Sequence, residues 1–332
     1  MSNIKNQRTL EKVFRSTFHS KITFEDFISI NIENEYNVSL FKKRKIFSPS
    51  DKLKKIQRFI NSSVLEYADF NREVVYSYLK GTSVRDAVEL HCKSQFFFQT
   101  DIYDFFGSIS PENVNKSIEQ QFVNVPISDI ADYKELLFNL FIVNGKLPIG
   151  FSTSPLLSNI CLYDFDNALY DYCRGNNYIY TRYSDDIVIS SDSPLCIDTL
   201  SNHIQTLLFQ HVNDSTKLNK TKTKVHSKGE KFTVLGYNIL PNGELTISSK
   251  DKKETEILLH FFLNDLDKFD NYVSKNISPR FKNSDDKSIR EIGTSSLSGR
   301  LIGINAMDGK YLTKLRKKYG NTLIDMFLRK TV

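Results

Sequence analysis

Two adjacent aspartates in the middle of the chain stand in an unusual setting. Asp185 and Asp186 lie between residues 179–183 and 187–190, two runs rich in β-branched and aromatic side chains. A second aspartate pair at 285–286 has only polar neighbours, as expected for a surface loop. The contrast predicts a buried hairpin with the first pair of carboxylates at its tip, where a cation is needed to offset their charge.

Asp101 repeats this arrangement at the end of an apolar run. Three phenylalanines occupy 96–98, and two more follow at 105–106. A carboxylate in such surroundings needs a partner, and a salt bridge to Lys or Arg is one candidate. Two acidic strand ends in one chain also suit Mg²⁺ or Mn²⁺, which prefer hard oxygen ligands. Two such ions ~3.5–4 Å apart stabilise the attacking and leaving oxygens of a phosphoryl displacement.

Three segments, in this order along the chain, resemble the palm motifs of reverse transcriptases. Residues 101–106 resemble the first motif, and 183–186 are similar to the Tyr-x-Asp-Asp box, with Ser184 where bacterial members usually have Ala. Residues 147–159 resemble the second motif, usually Pro-Gln-Gly-x-x-x-Ser-Pro-x-Leu-x-Asn, with Ile149 in place of the Gln. One such motif is a weak signal, whereas three with matching order and spacing are specific.

The resemblance is to the retron and defence-associated (abortive-infection-like) group of bacterial enzymes, and it covers the chain from about residue 40 onward. Residues 44–57 resemble the retron fingers, 218–223 the lysine motif, and 301–320 the thumb helix. Two further segments depart from the retron pattern. An Ala-Val pair at 87–88 stands where Asn-Ala is usual, and Leu235 replaces a Thr.

For the catalytic positions, the resemblance implies specific roles. Asp101 and Asp185 would bind both metal ions with help from the Ile102 carbonyl, and Asp186 would support the ion on the primer side. Lys222 would protonate the leaving pyrophosphate. The alternative for Lys222 is a solvated lysine among other lysines.

For nucleotide binding, the resemblance implies that Phe106 stacks under the sugar and excludes a 2′-hydroxyl, so that the product is DNA. The alternative for Phe106 is core packing. Arg44, with a nearby Lys, would grip the triphosphate. Ile149 and Gly150 would lie beside the incoming nucleotide, where an apolar side chain cannot make the hydrogen bonds of Gln. We interpret His91 as a hydrogen-bonded structural residue rather than a catalyst.

The order of the predicted elements is helices, then mixed strands and helices, then helices, which indicates an α+β core with helical flanks. The resemblance implies a right-hand polymerase: fingers in 1–95, a palm of antiparallel sheet plus helices in 96–247 with a fingers insertion at about 107–150, and a helical thumb in 248–332. Periodicity predicts helices over 8–20, 52–67, 74–79, 84–90 and 154–173, and a hairpin over 232–247.

The composition supports a folded protein with a polyanionic partner. Of 332 residues, 40% are apolar, with 25 Phe and 16 Tyr, which excludes a disordered chain. The net charge is +6, and basic clusters lie at 42–45, 217–224 and 314–318. The alternative for any one cluster is a solvated face.

The last basic cluster lies on a predicted amphipathic helix. Leu312, Leu315 and Tyr319 have the i, i+3, i+7 spacing of one buried face. The basic residues off that face are predicted to contact nucleic acid. They are Lys314, Arg316, Lys317 and Lys318.

The cysteines indicate a reducing compartment. The four are scattered at 92, 161, 173 and 196, without a CxxC pair, which disfavours structural zinc and suits free thiols in the cytoplasm. The first residues lack the apolar core of a signal peptide, and no stretch approaches the ~20 apolar residues that span a bilayer. We therefore expect a cytoplasmic protein without membrane contact.

Three hypotheses for function follow. The first is an RNA-directed DNA polymerase of the retron type that uses two Mg²⁺ ions, or Mn²⁺, and dNTPs to copy a structured noncoding RNA into DNA in anti-phage defence, with an effector or partner protein. The second is a defence enzyme that makes repetitive or untemplated DNA. The third is a degenerate palm that only binds RNA, and the intact aspartate triad counts against it.

Overall fold

The computed structural model describes residues 8–41, 44–230, 232–277 and 288–329. The basic residues at 42–43 and the aspartate pair at 285–286 lie outside these ranges. The chain divides after Ser227 into two compact units. In the described residues, no helix has the length and apolar character needed to cross a membrane.

The first unit combines ten α-helices with six strands in its described part. The helices are α1 (Leu10–Phe18), α2 (Phe24–Ile28), α3 (Asp51–Ser63), α4 (Val84–Glu89), α5 (Phe105–Ser108), α6 (Pro111–Gln121), α7 (Lys134–Phe141), α8 (Ser154–Cys161), α9 (Tyr163–Gly175) and α10 (Ile197–His211). The strands are β1 (Tyr36–Phe41), β2 (Arg44–Pro49), β3 (Phe96–Asp101), β4 (Ile179–Tyr183), β5 (Asp186–Ser191) and β6 (Lys224–Ser227).

A four-stranded antiparallel sheet lies at the centre of this unit, in the order β4-β5-β3-β6. Successive side chains of a strand point to opposite faces. Phe97 and Phe98 of β3 are nevertheless both fully buried, so both faces of the sheet are covered. Strands β1 and β2 form a separate two-stranded hairpin.

The second unit is a helical bundle that follows a short hairpin. The hairpin pairs β7 (Tyr237–Ile239) with β8 (Leu245–Ile247), and the helices are α11 (Ser249–Asn264), α12 (Leu266–Asn276), α13 (Ile289–Met307), α14 (Gly309–Tyr319) and α15 (Asn321–Arg329). This unit has its own core, in which Leu259, Phe269, Leu301 and Phe327 are fully buried.

The helix predicted over 74–79 is wrong. The Arg182 N–H donates to the Val74 carbonyl at 2.7 Å, and Val75 forms a parallel bridge with Arg182. The backbone of this segment therefore bonds to β4 instead of closing helical turns on itself.

Two further predictions need correction. The single helix predicted over 154–173 is two helices, because the Leu162 N–H bonds to the Asn159 carbonyl only three residues earlier and ends α8. The first strand of the hairpin predicted over 232–247 begins only at Tyr237, since Leu235 and Gly236 adopt positive φ, which a strand does not accommodate.

The strands of the predicted palm are otherwise present where the sequence placed them. The hairpin of β7 and β8, which we assigned to the palm, groups with the second unit. The division into fingers, palm and thumb stays a prediction.

Candidate active site

Two strand ends bring the predicted catalytic carboxylates together. Asp101, the last residue of β3, is the direct antiparallel partner of Asp186, the first residue of β5. One residue further, the Ile102 N–H donates to the Asp185 carbonyl at 3.0 Å. The tip of the hairpin between β4 and β5 is therefore fixed against the end of β3.

The three acids are buried or half-buried. Asp101 is only 3% exposed. Burial, with the negative charges of Asp185 and Asp101, raises the pKa of Asp186 to about 6, while the nearby Lys222 lowers it. The cluster would bind a cation favourably, because a positive charge offsets both the burial and the repulsion.

Lys222 supplies one such positive charge. Its ammonium donates to Asp101 Oδ2 at 2.6 Å, and this hydrogen bond raises the pKa of Lys222. The backbone fixes the position, because the Asn219 N–H donates to the Asp101 carbonyl at 2.8 Å and Tyr103 N–H to the Lys217 carbonyl at 2.8 Å. The structure thus places the Lys222 ammonium against the Asp101 carboxylate.

The donor set fits a hard divalent cation. Asp101 Oδ1 is buried and accepts no hydrogen bond from the described residues, so one carboxylate oxygen is available to a ligand. Within those residues, no three His, Cys, Asp or Glu side chains converge into a complete metal cluster. The aspartates therefore share one end of the sheet without enclosing an ion by themselves.

A buried ion pair stabilises the hairpin of β4 and β5. The Arg182 guanidinium meets the Asp166 carboxylate at 2.8 and 2.5 Å, and both side chains are fully buried. The Tyr180 hydroxyl donates to the same carboxylate at 2.7 Å. Arg182 also donates to the Ser184 carbonyl at 3.0 Å. The pair therefore connects helix α9 to the turn that carries the catalytic acids.

Sequence reasoning missed this pair, although a signal was present. Arg182 stands among β-branched and aromatic residues in β4, and a charge in such a run requires a buried partner. Asp166 is one of three aspartates in α9, and its sequence neighbours do not distinguish it from the other two. The sequence alone could not show that Arg182 pairs with Asp166.

Residues 74–79, which were wrongly predicted to form a helix, also contact the turn between β4 and β5. The Ser184 N–H donates to Ser77 Oγ at 2.8 Å, and the hydroxyls of Tyr78 and Ser184 hydrogen-bond at 2.7 Å. Asn159 Nδ2 donates to the Ser77 carbonyl at 2.8 Å. Ser77 and Tyr78 were not identified from the sequence, because a helix would have directed their polar groups elsewhere.

The second motif contacts strand β2 through its backbone. The Phe47 N–H donates to the Ile149 carbonyl at 2.8 Å. Gly150 has a φ of +114°, and a Cβ there would lie 2.3 Å from the Phe47 carbonyl oxygen. Only glycine permits this close approach. Ile149 itself is half-buried.

The remaining predicted residues of the first unit differ in their surroundings. Phe106, on α5, is half-buried and packs against the core, with its ring centroid 5.3 Å from that of the buried Phe105. Arg44 is exposed at the start of β2. His91 is fully buried between the hydroxyls of Ser190 and Thr181, at 2.7 and 2.8 Å, which confirms its structural interpretation.

The predicted nucleic-acid contacts lie on α14, in the second unit. Leu312 and Leu315 are buried and Tyr319 half-buried, which confirms the predicted inner face. The four basic residues differ in their surroundings. Lys314 and Lys317 are exposed, Arg316 pairs with Asp325 at 2.9 Å, and Lys318 pairs with Glu256.

Known proteins are similar to this chain over most of its length. A profile described as reverse transcriptase (RNA-dependent DNA polymerase) matches residues 8–239. The retron Ec83 reverse transcriptase of Escherichia coli is 24% identical over 85% of this chain and 84% of that protein. The retron Ec73 reverse transcriptase of the same species is 28% identical over 83% of each. Among solved structures, apo telomerase from Candida tropicalis aligns with a TM-score of 0.46 and 13% identity, over 86% of this chain and 60% of that one.

Proposed function

The chain belongs to the reverse transcriptase (RNA-dependent DNA polymerase) family, and on that basis we propose that its DNA synthesis takes place at Asp101, Asp185 and Asp186. It is an RNA-directed DNA polymerase of the retron type. The observation that carries the proposal is the register of β3 and β5, which sets Asp101 directly against Asp186.

We propose that the three carboxylates and the Ile102 carbonyl hold two Mg²⁺ ions, which Mn²⁺ can replace. When bound, such ions stabilise the attacking and leaving oxygens of the nucleotidyl transfer. The buried Asp101 Oδ1, which accepts no hydrogen bond from any residue in the described ranges, supports this assignment, as does the raised pKa of Asp186.

The protein's own groups would then orient the reactants. Lys222 is protonated at neutral pH, because its bond to Asp101 raises its pKa, and we propose that it donates a proton to the leaving pyrophosphate. Phe106 would lie under the sugar, while Ile149 and Gly150 would border the nucleotide. Arg44 would contact the triphosphate.

The substrates follow from the family: dNTPs, an RNA template and a DNA product. We further propose that the template is a structured noncoding RNA and that the enzyme works in the cytoplasm, which suits its four free cysteines. An anti-phage role and an effector or partner protein stay predictions from the resemblance.

One observation favours a second candidate, synthesis that depends little on a template. Ile149 presents an apolar side chain where the family usually has an amide, so one set of hydrogen bonds near the templating base is lost. Primer extension on the four homopolymer templates distinguishes the candidates. Addition of only the complementary nucleotide supports templated synthesis, and the same product on every template supports the second candidate.

The test of the active site is loss of polymerisation in Asp101→Asn and Asp185→Asn. Each variant should lower incorporation of labelled dNTPs with Mg²⁺ by on the order of a hundredfold or more, since several kcal/mol of metal-dependent stabilisation are removed. The stability of Asp185→Asn to unfolding should not fall, because one of several like charges is removed. Asp101→Asn also loses its ion pair with Lys222, so circular dichroism must show that this variant is folded before its activity is read.

Asp214→Asn is the matched control, because Asp214 is exposed and distant in sequence from all three aspartates. It should retain full activity. Wild-type activity in either Asp101→Asn or Asp185→Asn would disprove the assignment.

A further inference from the structure

The turn that carries the catalytic acids is held by a side chain from outside the three palm motifs. The hydroxyls of Tyr78 and Ser184 lie 2.7 Å apart and hydrogen-bond to each other. Ser184 is the position where the Tyr-x-Asp-Asp box of bacterial relatives usually has Ala, which could not make this bond. The serine that replaces the usual alanine therefore has a specific hydrogen-bond partner, Tyr78, in this chain.

Both partners adopt a backbone conformation that non-glycine residues rarely take. Tyr78 has a φ of 63° and Ser184 a φ of 60°. Such conformations persist when surrounding contacts determine them, and they are concentrated at functional sites. Three contacts hold Ser184: Ser77 Oγ accepts from its N–H, Arg182 donates to its carbonyl, and Tyr78 bonds its side chain.

We propose that Tyr78 is a positioning residue for Asp185 and Asp186. Its hydroxyl acts through Ser184 to keep the turn in the conformation that places both carboxylates beside Asp101. This inference rests on the proposed function, because it assigns a role within the same active site. The partly exposed position of Tyr78, with 41% of its surface accessible, means that core packing does not explain the geometry by itself.

Loss of the Tyr78 hydroxyl should loosen the turn without unfolding the unit. Arg182 and Ser77 still hold the Ser184 backbone, so the turn forms but populates the aligned conformation less often. A neutral hydrogen bond of ordinary strength corresponds to about a two- to tenfold change in that population. The aligned fraction should govern both the catalytic rate and the affinity for divalent metal.

The experiment compares Tyr78→Phe, Ser184→Ala and the double variant in the full chain. Each single variant should lower kcat about two- to tenfold and raise the half-saturating Mg²⁺ concentration, with little change in KM for dNTP. The kcat of the double variant should be no lower than that of the less active single variant, since the two substitutions remove the same hydrogen bond. The rise in Tm on adding Mg²⁺, which does not depend on turnover, should shrink in all three.

Tyr67→Phe is the matched control, because Tyr67 has a similar exposure of 39% and lies far along the chain from the turn. It should behave as the wild type. Wild-type kcat and Mg²⁺ dependence in Tyr78→Phe would overturn the inference, as would multiplied losses in the double variant. If Tyr78→Phe fails to fold, Ser184→Ala decides by the same two measurements.

The wild type and Asp185→Asn in the same assay separate this inference from the proposed function. An inactive wild type, or an active Asp185→Asn, overturns the active site itself. An active wild type with an inactive Asp185→Asn and an unaffected Tyr78→Phe overturns only the positioning role.

Discussion

His91 makes the stability of the first unit dependent on pH. Its ring is fully buried between two hydroxyls, and burial lowers its pKa from about 6.5 to about 3. Between these values the unfolded chain binds a proton that the folded chain does not. The contribution of His91 to the free energy of unfolding should therefore be greatest above pH 6.5 and fall by up to about 1.4 kcal/mol per pH unit as the pH drops.

His91→Gln gives the comparison, because Gln can donate and accept hydrogen bonds but does not titrate in this range. Urea unfolding at pH 7, 6 and 5 should show a shallower loss of stability in the variant, whatever its absolute stability. Parallel pH dependences in the two proteins would mean that His91 does not titrate as its burial implies.

Phe106 is where a single residue should decide the sugar of the product. The structure places it half-buried on α5, beside the buried Phe105, so one ring fills the core and the other is partly accessible. Phe106→Ala should admit ribonucleotides and lower discrimination against them. Competition between dNTPs and NTPs in primer extension measures this. Unchanged discrimination would assign Phe106 to core packing alone.

At the scale of single residues, the sequence could predict the charged groups of the candidate active site, but neither the Arg182–Asp166 ion pair nor the neutral groups that hold the turn. Asp101, Asp185 and Lys222 were predicted because their charge conflicts with their surroundings or matches a motif. Ser77 and Tyr78 carry no such conflict. Their hydroxyls become informative only when a fold brings them to Ser184 from more than a hundred residues away.

Helix α13 contains two glycines that differ in how closely other residues pack against them. A Cβ at Gly293 would lie 2.6 Å from Phe269 Cε1 and from Val273 Cγ2 of α12, whereas Gly299 has no such neighbour within 4 Å. Gly293→Ala should therefore destabilise the second unit by about 1–3 kcal/mol through overpacking. Gly299→Ala should stabilise it by about 0.5–1 kcal/mol through helix propensity.

Chemical unfolding followed by a probe of the second unit measures both changes. The opposite signs are the important result, because each substitution adds the same methyl group to the same helix. A stabilised Gly293→Ala variant would show that α12 and α13 can move apart without cost.

Helices and strands could be predicted where the periodicity of the sequence reflected local burial. The prediction failed where hydrogen bonds to distant parts of the chain determined the backbone conformation. The strands β3, β4 and β5 follow from their apolar runs. Residues 74–79 have helical spacing, yet the Val74 carbonyl and the bridge from Val75 bond to Arg182 instead. A pairing so distant in sequence leaves no periodic signal, so tertiary context overrides local preference there.

The molecule as a whole has two separate hydrophobic cores, one in each unit. The first unit contains the carboxylate cluster, and the second unit contains the basic helix α14. We therefore expect substitutions on α14 to weaken the proposed binding of nucleic acid without altering the proposed active site. The net charge of +6 adds a general attraction for RNA, which salt should weaken.

The ion pairs on α14 sharpen the prediction for RNA binding. Lys314 and Lys317 are exposed and, in the part of the chain that the structure describes, form no ion pair, whereas Lys318 pairs with Glu256. Each phosphate contact contributes roughly 0.7–0.9 to the slope of log affinity against log salt. Lys314→Ala with Lys317→Ala should lower that slope by about 1.5 for structured RNA. Lys318→Ala should change it less, because Glu256 already neutralises that ammonium.

Titration of labelled RNA at several salt concentrations measures the slope for the complete chain. Single-nucleotide addition on saturating primer should change little in the double variant, because its substitutions lie in the second unit and the carboxylates in the first. An unchanged slope would mean that α14 is only a solvated basic helix. The phosphate contacts would then fall to the clusters at 42–45 and 217–224. The second of these includes Lys222, which bonds Asp101, so substitutions there that weaken RNA binding would also lower the rate of nucleotide addition.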